Sequence, residues 1–318
     1  MGKTMNVVLS GDDNYSPYMA TTMVNLRKYL PNNIKTDFYI LYSGNDEVVK
    51  NNLTDFVNNK LENSSIKFYD VAKKNKKELE FLKDFHHGEH LSIGTYALYF
   101  VADAFPEIDK ALYMDVDIII NDNLLPMYET DLKDKYAGVV RHTDNSYHGI
   151  NKICKNGMNF KEYFAKFYED KNCETYFNAG IQLMNLKKMR EDKCSTLFLK
   201  EMKRIGLKTF KSDIEYHNQD FFNSVFYEKT LIIDMRYNIN VNRKFKFKSM
   251  KKFFPAEIAE NLDKAVLNPA IIHCTGSKKP WNNFKVKKSR IWWRCAFKTP
   301  FIKYIIRKNT KKLLKSFF

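Results

Sequence analysis

The alternation at the start of the chain constrains its fold more than any other feature. Short apolar runs at residues 5–10, 37–42 and 66–69 alternate with longer segments of helical period at residues 18–30 and 48–61. Short apolar runs bounded by Gly, Asp and Asn are buried strands, whereas apolar residues recurring every three or four positions mark helices. Strand–helix–strand order of this kind builds a parallel sheet with helices on its faces. Pro17 stands where the first helix should begin, a position at which its missing N–H costs nothing. Further strands are expected at residues 110–120, 136–140, 180–186 and 269–273, and helices at 93–105, 186–205 and 219–226. Residues 142–175 are polar and aromatic with weak periodicity, which suits a long loop or subdomain near a site. No internal repeat is present. The expected class is α/β, Rossmann-like, with a mixed but mostly parallel sheet.

Charge is informative once it is located. Of the net +16, all but +1 comes after Asp263, the last acidic residue, because residues 264–318 hold 15 Lys or Arg. A nucleic-acid binder usually spreads its basic surface over the folded body. Here the body is nearly neutral and the excess is local, which argues for an attachment device and against a nucleic-acid partner. The compact domain is therefore expected over residues 1–283 and a basic, helical tail over 284–318. In that tail twelve Lys or Arg interleave with Trp292, Trp293, Phe297, Phe301, Tyr304, Ile305, Ile306, Leu313, Leu314, Phe317 and Phe318. Basic amphipathic segments rich in aromatic residues lie in a membrane interface, and each cation near an anionic surface contributes roughly 1 kcal/mol. A solvated basic helix with ordinary aromatic packing is the competing reading. The five cysteines show no CxxC spacing and are expected as reduced thiols. The N-terminus is too short and polar for a signal peptide, and no run of 18 apolar residues occurs. These features together predict a cytoplasmic protein, peripheral on the inner face of the cell membrane.

Four segments carry chemistry. Asp115 and Asp117 interrupt an apolar strand at i and i+2, where extended backbone turns both carboxylates to one side. Two hard oxygen ligands there can hold Mn²⁺ or Mg²⁺, and the ion can hold a diphosphate. A solvated or turn-forming Asp pair would look the same. His273 ends a late apolar run and is followed by Gly276 and Lys279; an imidazole can complete a metal site, a glycine allows close approach, and a lysine neutralises phosphate. Taken alone, a histidine such as His273 is more often a satisfied structural residue than a ligand. Asp12, Asn14 and Tyr15 follow the first strand and could bond or stack on a base, although a plain turn explains them too. Asn178 and Ala179, then His217, Asn218, Gln219 and Asp220, offer amides and carboxylates that suit sugar hydroxyls. A turn and a helix cap account for them as well.

In this order and spacing the segments LSGDDNYSPYM, LSIGTYALY, ALYMDVDIII, YFNAGIQLMNL, HNQDFFN and IIHCTGSKKPW resemble glycosyltransferase family 8, over about residues 5–281. The resemblance implies a GT-A fold and a retaining transferase that moves a hexose from UDP-galactose, UDP-glucose or another UDP-sugar. The acceptor would be a free or lipid-linked glycan of bacterial lipopolysaccharide, capsule or related surface polysaccharide. Residue by residue, it implies Asp115, Asp117 and His273 as metal ligands and Asp12, Asn14 and Tyr15 as the uridine loop. Gly276 and Lys279 match diphosphate positions, and Val116 is a further donor-binding position. Asn178, Ala179, Asn218 and Gln219 match the lining of the donor sugar, with Gln219, Asn218 and Asp115 closest to the reaction. Two departures stand out: Leu98 replaces the family's usual Arg, and Asn218 replaces its usual Asp. A charged pair lost jointly costs less than one charge stranded, which points to a changed donor sugar. The alternatives are a catalytically impaired sugar-nucleotide binder, a nucleotidyltransferase and a basic nucleic-acid-binding protein. The second wants a Gly-rich triphosphate loop that Ser10–Tyr15 does not supply.

Overall fold

The computed structural model describes residues 3–78, 94–142, 145, 153–154, 157–169, 173–206, 218–240 and 254–317. The expected alternation is present: β1 (Thr4–Gly11), α1 (Ser16–Tyr29), β2 (Lys35–Tyr42), α2 (Glu47–Lys60) and β3 (Ser64–Asp70) follow one another. Pro17 lies in the first turn of α1, and Asp46 caps α2 by accepting from the Val48 and Val49 amides. Then come β4 (Lys110–Met114), β5 (Ile118–Ile120), β6 (Ala137–Arg141), α3 (Phe160–Phe167) and β7 (Phe177–Asn185). The remainder is α4 (Cys194–Gly206), α5 (Asn218–Val225), β8 (Thr230–Ile232), β9 (Ile239–Asn240), α6 (Ala256–Leu267), β10 (Ile271–His273), α7 (Ser289–Ala296) and α8 (Ile302–Phe317).

Seven strands form one sheet in the order β3-β2-β1-β4-β7-β6-β8. Every neighbouring pair is parallel except the two that involve β7, which runs against β4 and β6. Alternation along β1 sorts the core. Met5, Val7 and Leu9 join α1, α2 and the C-terminal helices on one face, and Val8 joins the aromatic cluster of Tyr99, Phe198 and Phe222 on the other. A small sheet, β5-β10-β9, stands beside the large one.

Two expectations are corrected. The strand read over residues 110–120 is two strands in two sheets, because the chain bends at Asp115–Asp117 and β5 leaves to pair with β10. The helices read over 93–105 and 186–205 are broken: the first into Gly94–Ala97, a 3-10 turn Leu98–Phe100 and Val101–Ala104, the second between Glu191 and Cys194.

The basic tail is packed against the body. Trp292, Ile305 and Leu313 are buried in the same core as α1, and the indole N–H of Trp293 donates to the Pro280 carbonyl at 3.0 Å. Those residues face the protein rather than an interface, since a helix that buries one stripe turns only the other outward. Phe284, Phe297, Tyr304, Ile306 and Leu314 are the large apolar residues the tail leaves exposed among those described. All five cysteines are buried thiols outside any disulfide. Among the described residues no helix is long and apolar enough to cross a membrane.

Candidate donor and metal site

The strand order reverses direction between β1 and β4: the chain winds outward through β2 and β3, then returns to β4 on the other side of β1. A crevice forms beyond the carboxyl ends of strands at such a point. The loop after β1 carries Asp12, Asn14 and Tyr15, and the bend after β4 carries Asp115, Val116 and Asp117. His273 reaches the same place from β10, which runs antiparallel to β5 with His273 opposite Ile118, the residue after Asp117.

Backbone and side chains hold this junction. The Asp115 amide donates to the Gly180 carbonyl at 2.8 Å and the Cys274 amide to the Asp117 carbonyl at 2.8 Å. From α1, Thr22 donates to the Val116 carbonyl at 3.3 Å, while the Asn25 amide both donates to and accepts from the Ile120 backbone at 2.9 and 2.8 Å. Thr22 and Asn25 are buried, so they position the bend without touching a ligand. The Tyr113 hydroxyl donates to Asp115 Oδ1 at 2.7 Å.

Asp115, Asp117 and His273 offer ligand atoms that all lie within 4.8 Å of one another. His273 Nε2 is 3.1 Å from Asp117 Oδ1 and 3.6 Å from Asp115 Oδ2, and Nδ1 is 3.0 Å from Asn238 Oδ1. A carbonyl oxygen cannot donate, so Nδ1 carries the proton and Nε2 faces the carboxylates. Burial and the Asp117 charge raise Asp115 above its ordinary pKa. Burial alone would raise Asp117, but His273 and Lys279 hold it below. Burial alone would lower His273, yet Asp117 and Asp115 outweigh it and raise it. The two carboxylates crowd each other, which positive charge offsets, and Lys279 supplies some through an ion pair with Asp117.

The residues fit a divalent cation. Two carboxylates and an imidazole converge, and a Cβ at Gly180 would fall 2.4 Å from His273 Cε1 and 2.5 Å from Asp115 Oδ2, so only glycine leaves the cradle open. Gly276 has φ +83, a left-handed conformation natural to glycine, and it turns the chain between His273 and Lys279.

The other end of the site is neutral. Gln219 Oε1 accepts from Asn178 Nδ2 at 2.8 Å and from the Ala179 amide at 3.3 Å, and Gln219 Nε2 donates to the Tyr176 hydroxyl at 3.2 Å. Asn178 Oδ1 accepts from the Gly180 amide at 3.1 Å and from Asn238 Nδ2 at 2.9 Å. An unbroken chain of polar contacts therefore runs from Gln219 through Asn178 and Asn238 to His273. Behind it, the buried Asp220 carboxylate accepts from Tyr163 at 2.6 Å and from Tyr176. The Asn218 side-chain oxygen is buried without a partner, and Leu98 lies in the core. His217 lies outside the described residues.

In the first loop, Asp12 closes a turn by accepting from the Tyr15 amide at 3.1 Å. Asn14 Oδ1 accepts from Lys308 at 2.9 Å and from the Tyr304 hydroxyl at 3.4 Å, both on α8. The Tyr15 ring is half-exposed and meets Tyr18 edge-on at 5.9 Å; Tyr18 stacks on Trp281 at 4.1 Å. Sequence reasoning missed Tyr113, Asn238, Thr22 and Asn25. A polar residue recurring on the apolar stripe of a helix was the available signal for Thr22 and Asn25; Tyr113 and Asn238 carried none.

A sequence profile described as Glycosyl transferase family 8 matches residues 6–285. Glycosyltransferase GlyD of Streptococcus pneumoniae serotype 4 is 28% identical over 301 residues, which is 92% of this chain and 30% of GlyD. Glycosyltransferase GlyF of the same strain is 25% identical over 321 residues, 96% of this chain and 67% of GlyF. The chain thus spans less than a third of GlyD and about two thirds of GlyF. Among solved structures, the galactosyltransferase LgtC with donor and acceptor sugar analogs has TM-score 0.75 at 22% identity, covering 96% of this chain and 100% of that one. The bifunctional glycosyltransferase WbbM, in its apo form, has TM-score 0.78 at 22% identity over 98% of this chain and 52% of its own.

Proposed function

Because the chain belongs to glycosyl transferase family 8 and shares the GT-A-type fold of LgtC, we propose that it moves a hexose from a UDP-sugar to a glycan acceptor, with retention of configuration. The observation that carries this reading is the convergence of Asp115, Asp117 and His273 at the crevice between β1 and β4. In it, those three residues hold Mn²⁺ or Mg²⁺, which when bound supplies Lewis-acid neutralisation of the diphosphate. The loop of Asp12, Asn14 and Tyr15 receives the uridine, with Val116 beside it. Gly276 and Lys279 meet the diphosphate, and the Lys279 ammonium stabilises charge that gathers on the leaving oxygen.

Asn178, Ala179, Asn218 and Gln219 line the donor sugar. Gln219 is engaged on both ends of its amide, so it serves as a fixed dipole rather than a nucleophile. This favours attack by the acceptor hydroxyl on the face the diphosphate leaves, with a donor phosphate oxygen taking the proton. UDP-galactose and UDP-glucose are the first donors to try. Product from a glycan of lipopolysaccharide or capsule type would identify the acceptor class. A second reading, donor binding without turnover, rests on Leu98 and on the unpartnered oxygen of Asn218.

Thermal stability in the presence of UDP and UDP-sugars, with and without Mn²⁺, tests the proposal, since a ligand specific to the native state raises the melting temperature. A metal-dependent rise with UDP and with one UDP-sugar is expected. No rise with any nucleotide overturns the donor site. Binding followed by no UDP release over hours selects the second reading.

The same reading seats the protein on the inner face of a membrane. Phe297, Tyr304, Ile306 and Leu314 stand exposed beside Lys298, Lys303, Arg307, Lys311 and Lys315. Sedimentation with anionic but not neutral vesicles is expected; equal sedimentation with both, or none, refutes it.

A further inference from the structure

Asp13 stands among Asp12, Asn14 and Tyr15, but its carboxylate is engaged elsewhere. Strands β1 and β2 are parallel neighbours with Gly11 opposite Tyr42, so the connections that follow them leave the sheet side by side. The Ser43 amide donates to the Gly11 carbonyl at 3.1 Å, and beyond that point Asp13 takes over the joint. The Tyr42 hydroxyl donates to Asp13 Oδ1, the Asn45 amide donates to Oδ2 at 3.1 Å, and the Asp46 amide lies 3.3 Å from both oxygens. Burial opposes the charge on Asp13, yet these donors hold its carboxyl below the ordinary carboxylate value. The β2–α2 connection is shaped to receive this side chain. A Cβ at Gly44 would fall 2.4 Å from Asp13 Oδ1 and 2.8 Å from the Asp13 backbone nitrogen, so only glycine fits there.

The rest of the loop is a single turn. The Tyr15 and Ser16 amides both donate to the Asp12 carbonyl at 3.0 Å, and Asp12 Oδ1 accepts from the Tyr15 amide at 3.1 Å. Whatever fixes Asp13 therefore fixes Asp12, Asn14 and Tyr15 with it. The other fastener, Lys308 on Asn14, is an exposed contact and so worth little. The bonds to Asp13 are charge-assisted, and two of their donors are backbone amides that have no rotamer freedom to lose. We propose that Asp13 is the positioning residue of the nucleotide loop: it touches no ligand, and by locking the loop to the β2–α2 connection it presents Asp12, Asn14 and Tyr15 already ordered. A loop ordered before binding spares the ligand that cost, so the lock appears as affinity. This rests on the reading of the loop as the receiver of uridine and adds to it the residue that sets its strength.

The test is calorimetric titration of UDP, with Mn²⁺ present, into the full chain and into Asp13→Ala, Asp13→Asn and Tyr42→Phe. Asp13→Ala should bind UDP about ten-fold more weakly, the value of one charge-assisted bond. Asp13→Asn should recover part of the loss, because its amide oxygen still accepts from the backbone. Tyr42→Phe, which keeps both amides on Asp13, should fall between Asp13→Ala and the unaltered chain. Donor KM should rise by the same factor in each, with kcat unchanged, and melting curves report the folded fraction. Should Asp13→Ala fail to fold, Tyr42→Phe decides alone. Unchanged UDP affinity in the folded variants, or a fall in kcat with KM unchanged, overturns the proposal and leaves the donor reading standing. Failure of the unaltered chain to bind UDP overturns the donor reading and this proposal with it.

Discussion

The two ends of the site solve different problems. At the β1–β4 crevice, Asp115, Asp117, His273 and Lys279 bring four ionisable groups together, and charge dominates. At the other end, Asn178, Asn238 and Gln219 make a neutral lattice in which each amide orients the next. Behind the lattice the carboxylate of Asp220 is buried and held by tyrosine hydroxyls. The difference is the one the proposed donor asks for: a diphosphate needs cations, whereas a sugar needs fixed donors and acceptors of no net charge.

Breaking the charged end should have the largest effect. Asp117→Asn removes a proposed metal ligand and the partner of Lys279, and kcat/KM should fall about 10²–10³-fold while the metal-dependent thermal shift disappears. Asp115→Asn should abolish that shift too, yet leave the metal-free protein no less stable, because it relieves the crowding of two carboxylates. Melting curves with and without Mn²⁺ check both.

Breaking the support of the neutral end is next in size. Asp220→Ala removes the buried acceptor that the Tyr163 and Tyr176 hydroxyls share and should cost about 2–5 kcal/mol in denaturant unfolding. Gln219→Glu sharpens the comparison by putting charge where there is none. It loses the donor to Tyr176, and kcat should drop about ten-fold with metal affinity unchanged.

A pH titration separates the two ends. Asp115 and His273 both have raised pKa values and must shed their protons to act as ligands, so Mn²⁺ competes with protons. Below the raised pKa of His273 the metal should bind progressively more weakly, by about ten-fold per pH unit for each proton displaced. Calorimetric titration of Mn²⁺ across that range checks this, and a pH-independent affinity contradicts the ligand assignment.

The smallest effect concerns Lys308. Its bond to Asn14, shared with Tyr304, holds the Asn14 side-chain oxygen toward α8. Lys308→Met should raise the donor KM a few-fold, about 1 kcal/mol or less for so exposed a contact, and leave kcat alone. The tail is thus tied to the loop of Asp12, Asn14 and Tyr15 as well as to Pro280, and if that loop receives the uridine as proposed, deleting the tail should weaken UDP binding.

The legibility of the chain follows the range of the interactions. The alternation of residues 5–69 is local, and local periodicity with Pro17 and the Asp46 cap is enough to specify strands and helices, so that half was readable. Asp115, Asp117 and His273 were also readable as residue types beside apolar runs. The breaks at Leu98–Phe100 and at Glu191–Cys194 were not, since no Pro or Gly marks them and packing decides them.

The sequence by itself determined the alternating α/β order, the chemical character of the site segments and the concentration of cations after Asp263. Tertiary structure alone decided that Asp117 and His273 meet, because β5 leaves the main sheet to pair antiparallel with β10, a partner about 150 residues away. It also decided that Trp292 and Trp293 of the tail are core, because which stripe of a helix is buried depends on what stands opposite, and here that is α1.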